Sequence, residues 1–319
     1  MNRQEFIEKN QKCSRGELLE IASNLRKKAE SRIPKETEAQ FRSLDKETAV
    51  EEKFVTTVFG NTHVFLVKSS VSGKDLRPTV LNVHGGGWSL PHGERDIYFS
   101  RRLAAHLNCL VADVDYVLAP EYPYPAALEE IEALLDVLPG ELPKWGGDPD
   151  KVIFCGQSSG GNLLGGVSQR KKYTEKLHVM SQILAYLPAD NYSDHFRGGE
   201  LDERAMGTEY YGFFYNQNFE ERKNPDVSLV YAPEEMLACV PPTDILVCGL
   251  DPLCAEGIRY ADCLKKAEVP VTLREFSASR HGFLVNMYDE WEAGEEYVCG
   301  LLKKYFEMDT EAENENHGN

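Results

Sequence analysis

Val152-Ile153-Phe154-Cys155-Gly156-Gln157-Ser158-Ser159-Gly160-Gly161 is the stretch on which the reading of this chain turns. Four apolar residues lead into Gly-x-Ser-x-Gly, and a helical stretch opens near Asn162. Strand, tight turn and helix in succession present a serine hydroxyl at the top of a sheet. Such a turn strains the serine backbone, and a side chain at Gly156 or Gly160 would collide with neighbouring backbone. The following helix sets its N-terminus, which favours negative charge, beside Ser158. Glycine and serine are common, so the pentapeptide carries weight only because a buried strand precedes it.

Outward from this stretch, apolar runs at 79–83, 109–112, 182–187, 244–248 and 269–276 alternate with longer helical stretches. Continuous apolar runs separated by helices mark parallel strands covered on both faces. Segments 54–59 and 63–67 flank Gly60-Asn61, a turn pair, so a hairpin comes first. The expectation is an α/β chain with an eight-stranded, mostly parallel sheet flanked by helices.

Two segments break the alternation. Residues 1 to about 45 read as helical: Ser14 and Glu17 form a capping box, and Leu18, Ile21, Ala22, Leu25 and Ala29 share one face. Residues 188 to about 225 are too long for a simple connection and contain Tyr210-Tyr211-Gly212-Phe213-Phe214-Tyr215. Together they are expected to form a helical cap over the carboxyl ends of the strands, where open α/β sheets bind ligands. About half of the aromatics are expected to be the insertion's own core. With no repeat or linker inside the core, 1–319 reads as one domain, ending in a disordered acidic tail from about 308 to 319.

The formal net charge of −17 argues against a nucleic-acid partner and against docking on anionic membrane. No run approaches the ~18 apolar residues of a spanning helix. No apolar signal follows Met1, and the 8 cysteines are scattered without a Cys-x-x-Cys pair, so a reduced, cytoplasmic protein is expected.

A second motif follows the run at 79–83: His84-Gly85-Gly86-Gly87-Trp88. Three glycines leave backbone N–H groups bare, as an oxyanion site requires. The rival reading is a phosphate loop, but neither Gly-Lys-Ser/Thr nor Gly-x-Gly-x-x-Gly follows. His84 is expected to anchor the loop, because a base ahead of the serine breaks the usual Ser…Asp…His order. His63, His106 and His178 read as packed or solvated residues, and His92 as an exposed loop residue near the glycines.

Taken together, the sequence resembles the hormone-sensitive-lipase-like branch of the α/β-hydrolases. The resemblance rests on His84–Trp88, on Asp115-Tyr116-Val117-Leu118-Ala119-Pro120-Glu121, and on the turn at 156–161. It rests also on Asp251-Pro252-Leu253 and His281-Gly282-Phe283, all in the family's order across residues 80 to 285. It implies the α/β-hydrolase fold and a catalytic triad of Ser158, Asp251 and His281. The amides of Gly85, Gly86 and Ser159 would serve as the oxyanion hole, although the sequence leaves open which two of the three glycines donate. Position agrees for Asp251 and His281, each just past a predicted strand; Glu256 is a rival acid five residues on. Trp88, Tyr211 and Phe214 are the expected substrate-binding residues.

The implied activity is that of a serine carboxylesterase on small neutral acyl esters, an acetylated carbohydrate among them, with no metal or other cofactor. Amide or lactone hydrolysis on the same triad is the alternative, and a non-catalytic small-molecule receptor a third reading. The final strand offers an edge for a homodimer. Gln157 stands where the family pattern has Asp, Ser159 where it has Ala, and Val117 where it has Arg.

Overall fold

The structure is a computed structural model that describes residues 1–30, 43–71, 76–170, 177–194 and 200–316. The expected helical residues 31–42 and part of the insertion, 195–199, lie outside the described residues.

Eight strands form one sheet in the order β1-β2-β4-β3-β5-β6-β7-β8. They are β1 Thr48–Thr56, β2 Asn61–Ser69, β3 Arg77–Val83, β4 Leu110–Asp115, β5 Gly147–Gln157, β6 Val179–Ala185, β7 Thr243–Cys248 and β8 Val271–Phe276. The β1–β2 hairpin turns at Thr57–Gly60, and β2 runs antiparallel to both of its neighbours. From β4 to β8 every pairing is parallel. Several strand ends differ from the sequence expectation, β1 most of all, since it spans 48–56 where 54–59 was expected; two have a clear local cause. β6 stops at Ala185 because Tyr186 turns at φ 41°. β8 begins after Pro270, which has no N–H to give to a ladder.

Alternation along the strands divides the core. Leu81, Val83, Val152 and Phe154 face helices α4 (Ala126–Trp145), α5 (Ser159–Ser168) and α7 (Cys254–Lys266). Val80, Ile153 and Cys155 face α3 (Glu94–Leu107) and α8 (Trp291–Asn316) on the other side. None of the 8 cysteines is in a disulfide. Helix α8 is described to Asn316.

The remaining helices lie over one end of the sheet. α1 (Arg3–Asn10) and α2 (Arg15–Glu30) come from the N-terminal segment and α6 (Glu203–Tyr215) from the insertion. The Ser14–Glu17 capping box forms, with Ser14 N–H donating to Glu17 Oε2 at 2.7 Å and Glu17 N–H to Ser14 Oγ at 3.3 Å. Phe6 and Ile7 of α1 pack with Ala205 and Phe213 of α6, while Leu18 and Ala22 of α2 pack with Phe214 and Ala119. The two segments thus bury their apolar stripes on each other.

One position fixes how the central turn sits. A Cβ on Gly160 would lie 1.9 Å from the Val83 carbonyl oxygen, a backbone atom that cannot move aside. Gly160→Ala should therefore destabilise the protein by about 2–3 kcal/mol. In urea unfolding this appears as a lower midpoint at unchanged slope; an unchanged midpoint would contradict the packing described.

Candidate active site

β5 ends at Gln157, and Ser158 follows at φ 52°, ψ −123° as the residue before α5. This left-handed conformation is unfavourable for a residue with a Cβ and persists only where the surroundings impose it. The Ser158 N–H donates to the Ala185 carbonyl at 2.9 Å, pinning the turn to the end of β6. Ser158 is half-buried, so its hydroxyl stays reachable.

The other two predicted groups leave the same sheet edge. Asp251 follows β7, and its N–H donates to the Cys248 carbonyl at 3.1 Å. His281 follows β8. His281 Nδ1 lies 2.6 Å from Asp251 Oδ2, and Nε2 lies 2.9 Å from Ser158 Oγ. With the proton on Nδ1 held by the carboxylate, Nε2 presents its lone pair to the hydroxyl. The Asp251 side chain is 2% exposed and its other oxygen accepts from Leu253 N–H at 3.2 Å, so it has one orientation. Tyr288 O–H donates to the His281 carbonyl, and the Tyr186 ring meets the imidazole edge-on at 5.1 Å. Glu256 is turned elsewhere: its Oε2 accepts from Asp190 N–H at 2.5 Å, at the root of the insertion. Burial pushes the Glu256 carboxyl well above its ordinary range.

The glycine loop leaves β3 beside the serine turn. A Cβ on Gly85 would stand 2.9 Å from the Gln157 carbonyl oxygen, so the two backbones touch. Gly86, Gly87 and Trp88 all have positive φ, at 135°, 58° and 56°. Among the described residues, the amides of Gly85, Gly86 and Ser159 donate to no backbone carbonyl in the turns and loops. Amides left open in this way could serve an oxyanion. His84 is buried, and its Nδ1 donates to the Gly85 carbonyl at 2.7 Å, with burial lowering its basicity. Ser159 Oγ, an addition to the family pattern, lies 3.3 Å from Tyr116 Oη, which in turn donates to the His84 carbonyl at 3.2 Å.

Of the three expected substrate-binding residues, only Tyr211 lies over the loop. A Cβ on Gly87 would fall 2.4 Å from its ring. Trp88 is 3% exposed and stacked on Tyr215 at 4.4 Å, and Phe214 is 1% exposed beneath α2. Trp88 is thus covered by Tyr215 of the insertion, and Phe214 by Leu18 and Ala22 of α2. His92 also differs from expectation. Its side chain is 3% exposed, folded inward beside Asp113 instead of standing in an open loop. His63 stacks on Phe54 at 4.6 Å; His106 is exposed near Glu295; His178 Nδ1 donates to the Asp150 carbonyl at 2.8 Å.

Arg26 was not singled out by the sequence, since nothing local marks it. From α2 its guanidinium donates to both Glu121 oxygens, at 2.6 and 2.7 Å, and to the Ser89 and Ala119 carbonyls, at 2.8 and 2.9 Å. It thereby ties the N-terminal helix to the end of the glycine loop and to the 119–121 turn. The Val117 departure removes a guanidinium from that turn, and Arg26 brings one from outside it. Arg26→Ala should lower kcat about tenfold, equivalent to about 1.4 kcal/mol, while Arg26→Lys recovers only part, because an ammonium cannot bridge four fixed acceptors. Hydrogen bonding from Arg26 holds the Glu121 carboxyl below its ordinary 4.5. The clamp is therefore complete above pH 4.5 and is lost as pH falls through the lowered value, which hydrogen exchange in α2 would register.

Comparison with known proteins extends the geometry. A family profile described as the alpha/beta hydrolase fold matches residues 80–285. Esterase LipI of Mycobacterium tuberculosis is 31% identical over 217 residues, 65% of this chain and 66% of that protein. Arylacetamide deacetylase of Oryctolagus cuniculus is 28% identical over 326 aligned positions, covering 82% of this chain and 80% of the relative. The crystal structure of carboxyl esterase 2 from Tuber melanosporum superimposes with a TM-score of 0.73 at 25% identity, over 81% of this chain and 88% of that one.

Proposed function

The chain belongs to the hormone-sensitive-lipase-like family of α/β-hydrolases, and from that premise we propose that it is a serine carboxylesterase for small, neutral acyl esters. The observation that carries the reading is the line of hydrogen-bond contacts Asp251–His281–Ser158, ending beside the glycine loop. His281 Nε2 takes the proton from Ser158 Oγ as the hydroxyl attacks the ester carbonyl. Negative charge gathers on that carbonyl oxygen, and the amides of Gly85, Gly86 and Ser159 receive it. His281 then gives its proton to the departing alcohol, leaving an acyl group on Ser158. Water, deprotonated by the same nitrogen, releases the acid. Asp251 holds the tautomer and stabilises the imidazolium throughout.

The size preference follows from Tyr211, whose ring closes on Gly87 and narrows the space above the loop. The neutral preference follows from the net charge of −17, which repels anionic esters. α1, α2 and the insertion act as the cap. Eight cysteines without a disulfide fit a reducing, cytoplasmic setting. Among the described residues no helix is long and apolar enough to cross a membrane. An amide-cleaving variant of the same chemistry is favoured by the deacetylase relative, which aligns across most of the chain.

p-Nitrophenyl acetate and butyrate should be cleaved faster than esters of twelve carbons or more. A matched acetanilide, assayed alongside, decides whether amides are also substrates. Ser158→Ala should lower kcat by about 10⁴–10⁶. Wild-type-like turnover in that variant, or a preference for long chains, would refute the corresponding part of the proposal.

A further inference from the structure

Behind the serine turn lies a buried polar cluster that the mechanism above does not use. Asp113, on β4, is completely buried. Its Oδ1 accepts from Asn82 Nδ2 at 2.8 Å and its Oδ2 from Ser100 Oγ at 2.7 Å. His92 Nε2 stands 3.1 Å from the same Oδ2, an ion pair without the alignment of a hydrogen bond. The relay continues the other way: Asn82 Oδ1 accepts from Gln157 Nε2 at 2.9 Å. Gln157 immediately precedes Ser158, and its carbonyl is the atom against which Gly85 packs.

A second route leaves the same pair through rings. His92 lies flat on Phe65 at 4.6 Å and meets His84 edge-on at 5.1 Å. His84 stacks on Tyr116 at 4.4 Å, and the Tyr116 hydroxyl reaches Ser159. One buried pair thus touches, through two independent chains of contact, the residues on both sides of the nucleophile and the histidine that anchors the glycine loop.

We propose that His92 and Asp113 are positioning residues of the hydrolytic site: the pair fixes the Gln157–Ser158 turn through Asn82 and the glycine loop through His84. The proposal rests on the esterase reading and adds two residues to it. A buried carboxylate is stable only when its charge is offset. His92 supplies the offset, so its loss or neutralisation loosens Asn82 and then Gln157.

The environment of His92 sets the pH at which this happens. Burial opposes its charge, but Asp113, Asp96 and Asp115 outweigh burial and push it up to about 9. Asp113 and Asp115 face it from β4, Asp96 from α3, and His84 from the glycine loop, while Glu94 and Arg101 of α3 share a surface cavity with it. Asp115 is itself paired with His63 at 3.0 Å across Phe65. Because the folded value is raised, the pair's contribution is complete below the ordinary value of 6.5 and is lost as pH rises through about 9.

The test measures kcat and KM for p-nitrophenyl acetate from pH 6 to 10 on the full chain, normalised by active-site titration. Wild type should lose at least half of kcat above about pH 9 with KM little changed. His92→Gln keeps a donor toward Asp113 but cannot titrate; its kcat should show no such decline and should exceed that of His92→Ala at every pH. His92→Ala should lower kcat at least tenfold at pH 7.5. Persistence of the alkaline decline in His92→Gln, or full kcat in His92→Ala, overturns the proposal. A purely structural role would reduce the titratable fraction without altering the pH profile of the remaining sites. NMR titration of the His92 ring, assigned through His92→Gln, is independent of turnover. A midpoint near 9 in a protein that cleaves no ester would indict the esterase reading and retain the charged pair; a midpoint near 6.5 would indict the pair itself.

Discussion

The site depends on how closely two turns can approach at the ends of adjacent parallel strands. β3 and β5 are paired with Val83 opposite Gly156, so the chain leaves both strands at the same height. Gly160 then lies against the Val83 carbonyl and Gly85 against that of Gln157, with no side chain between. That contact brings the loop amides within reach of Ser158. It also explains these two glycines: each fills a place where backbone meets backbone. The acid and base come from β7 and β8, farther along the sheet. They reach back past β6, whose own turn at Tyr186 offers the edge of a ring to His281.

Much of this was legible in the sequence because the relevant signals are short. Buried strands declare themselves as apolar runs, and a Gly-x-Ser-x-Gly after such a run has few structural interpretations. Asp251 and His281 came from the family resemblance, and their places just beyond strands, a local property, agreed with it. Two of the boundaries that shifted did so for local reasons as well: a positive φ at Tyr186 and a proline at 270.

The aromatic residues mark the limit of local reading. Trp88 follows the glycines directly, and Phe214 is three residues from Tyr211, so all three looked equally available to a ligand. What separates them is coverage by chain far away in sequence. Leu18 and Ala22 of α2 close over Phe214, and Tyr215 stacks on Trp88. Arg26 holds that helix down through four acceptors in two different loops. No spacing rule connects residue 26 with residues 89, 119 and 121, and none connects 92 with 113. Long-range polar pairs of this kind become visible only once the fold has assembled them.

Gln157 shows how such pairs alter the electrostatics of the turn. A carboxylate at this position would place a fixed negative charge beside the atom where negative charge develops during acyl transfer. The neutral amide avoids that repulsion and still gives the turn a partner in Asn82. The carboxylate of this cluster stands two strands away at Asp113, where His92 offsets it. What remains next to Ser158 is a set of oriented dipoles: bare amides on the glycine loop and the N-terminal end of α5. Dipoles fixed by the fold need no reorganisation as the oxyanion forms, and in a half-buried site they act with little screening. On the proposed triad, the departure from the family pattern at 157 therefore keeps charge away from the reacting oxygen, while Gln157 still bonds Asn82.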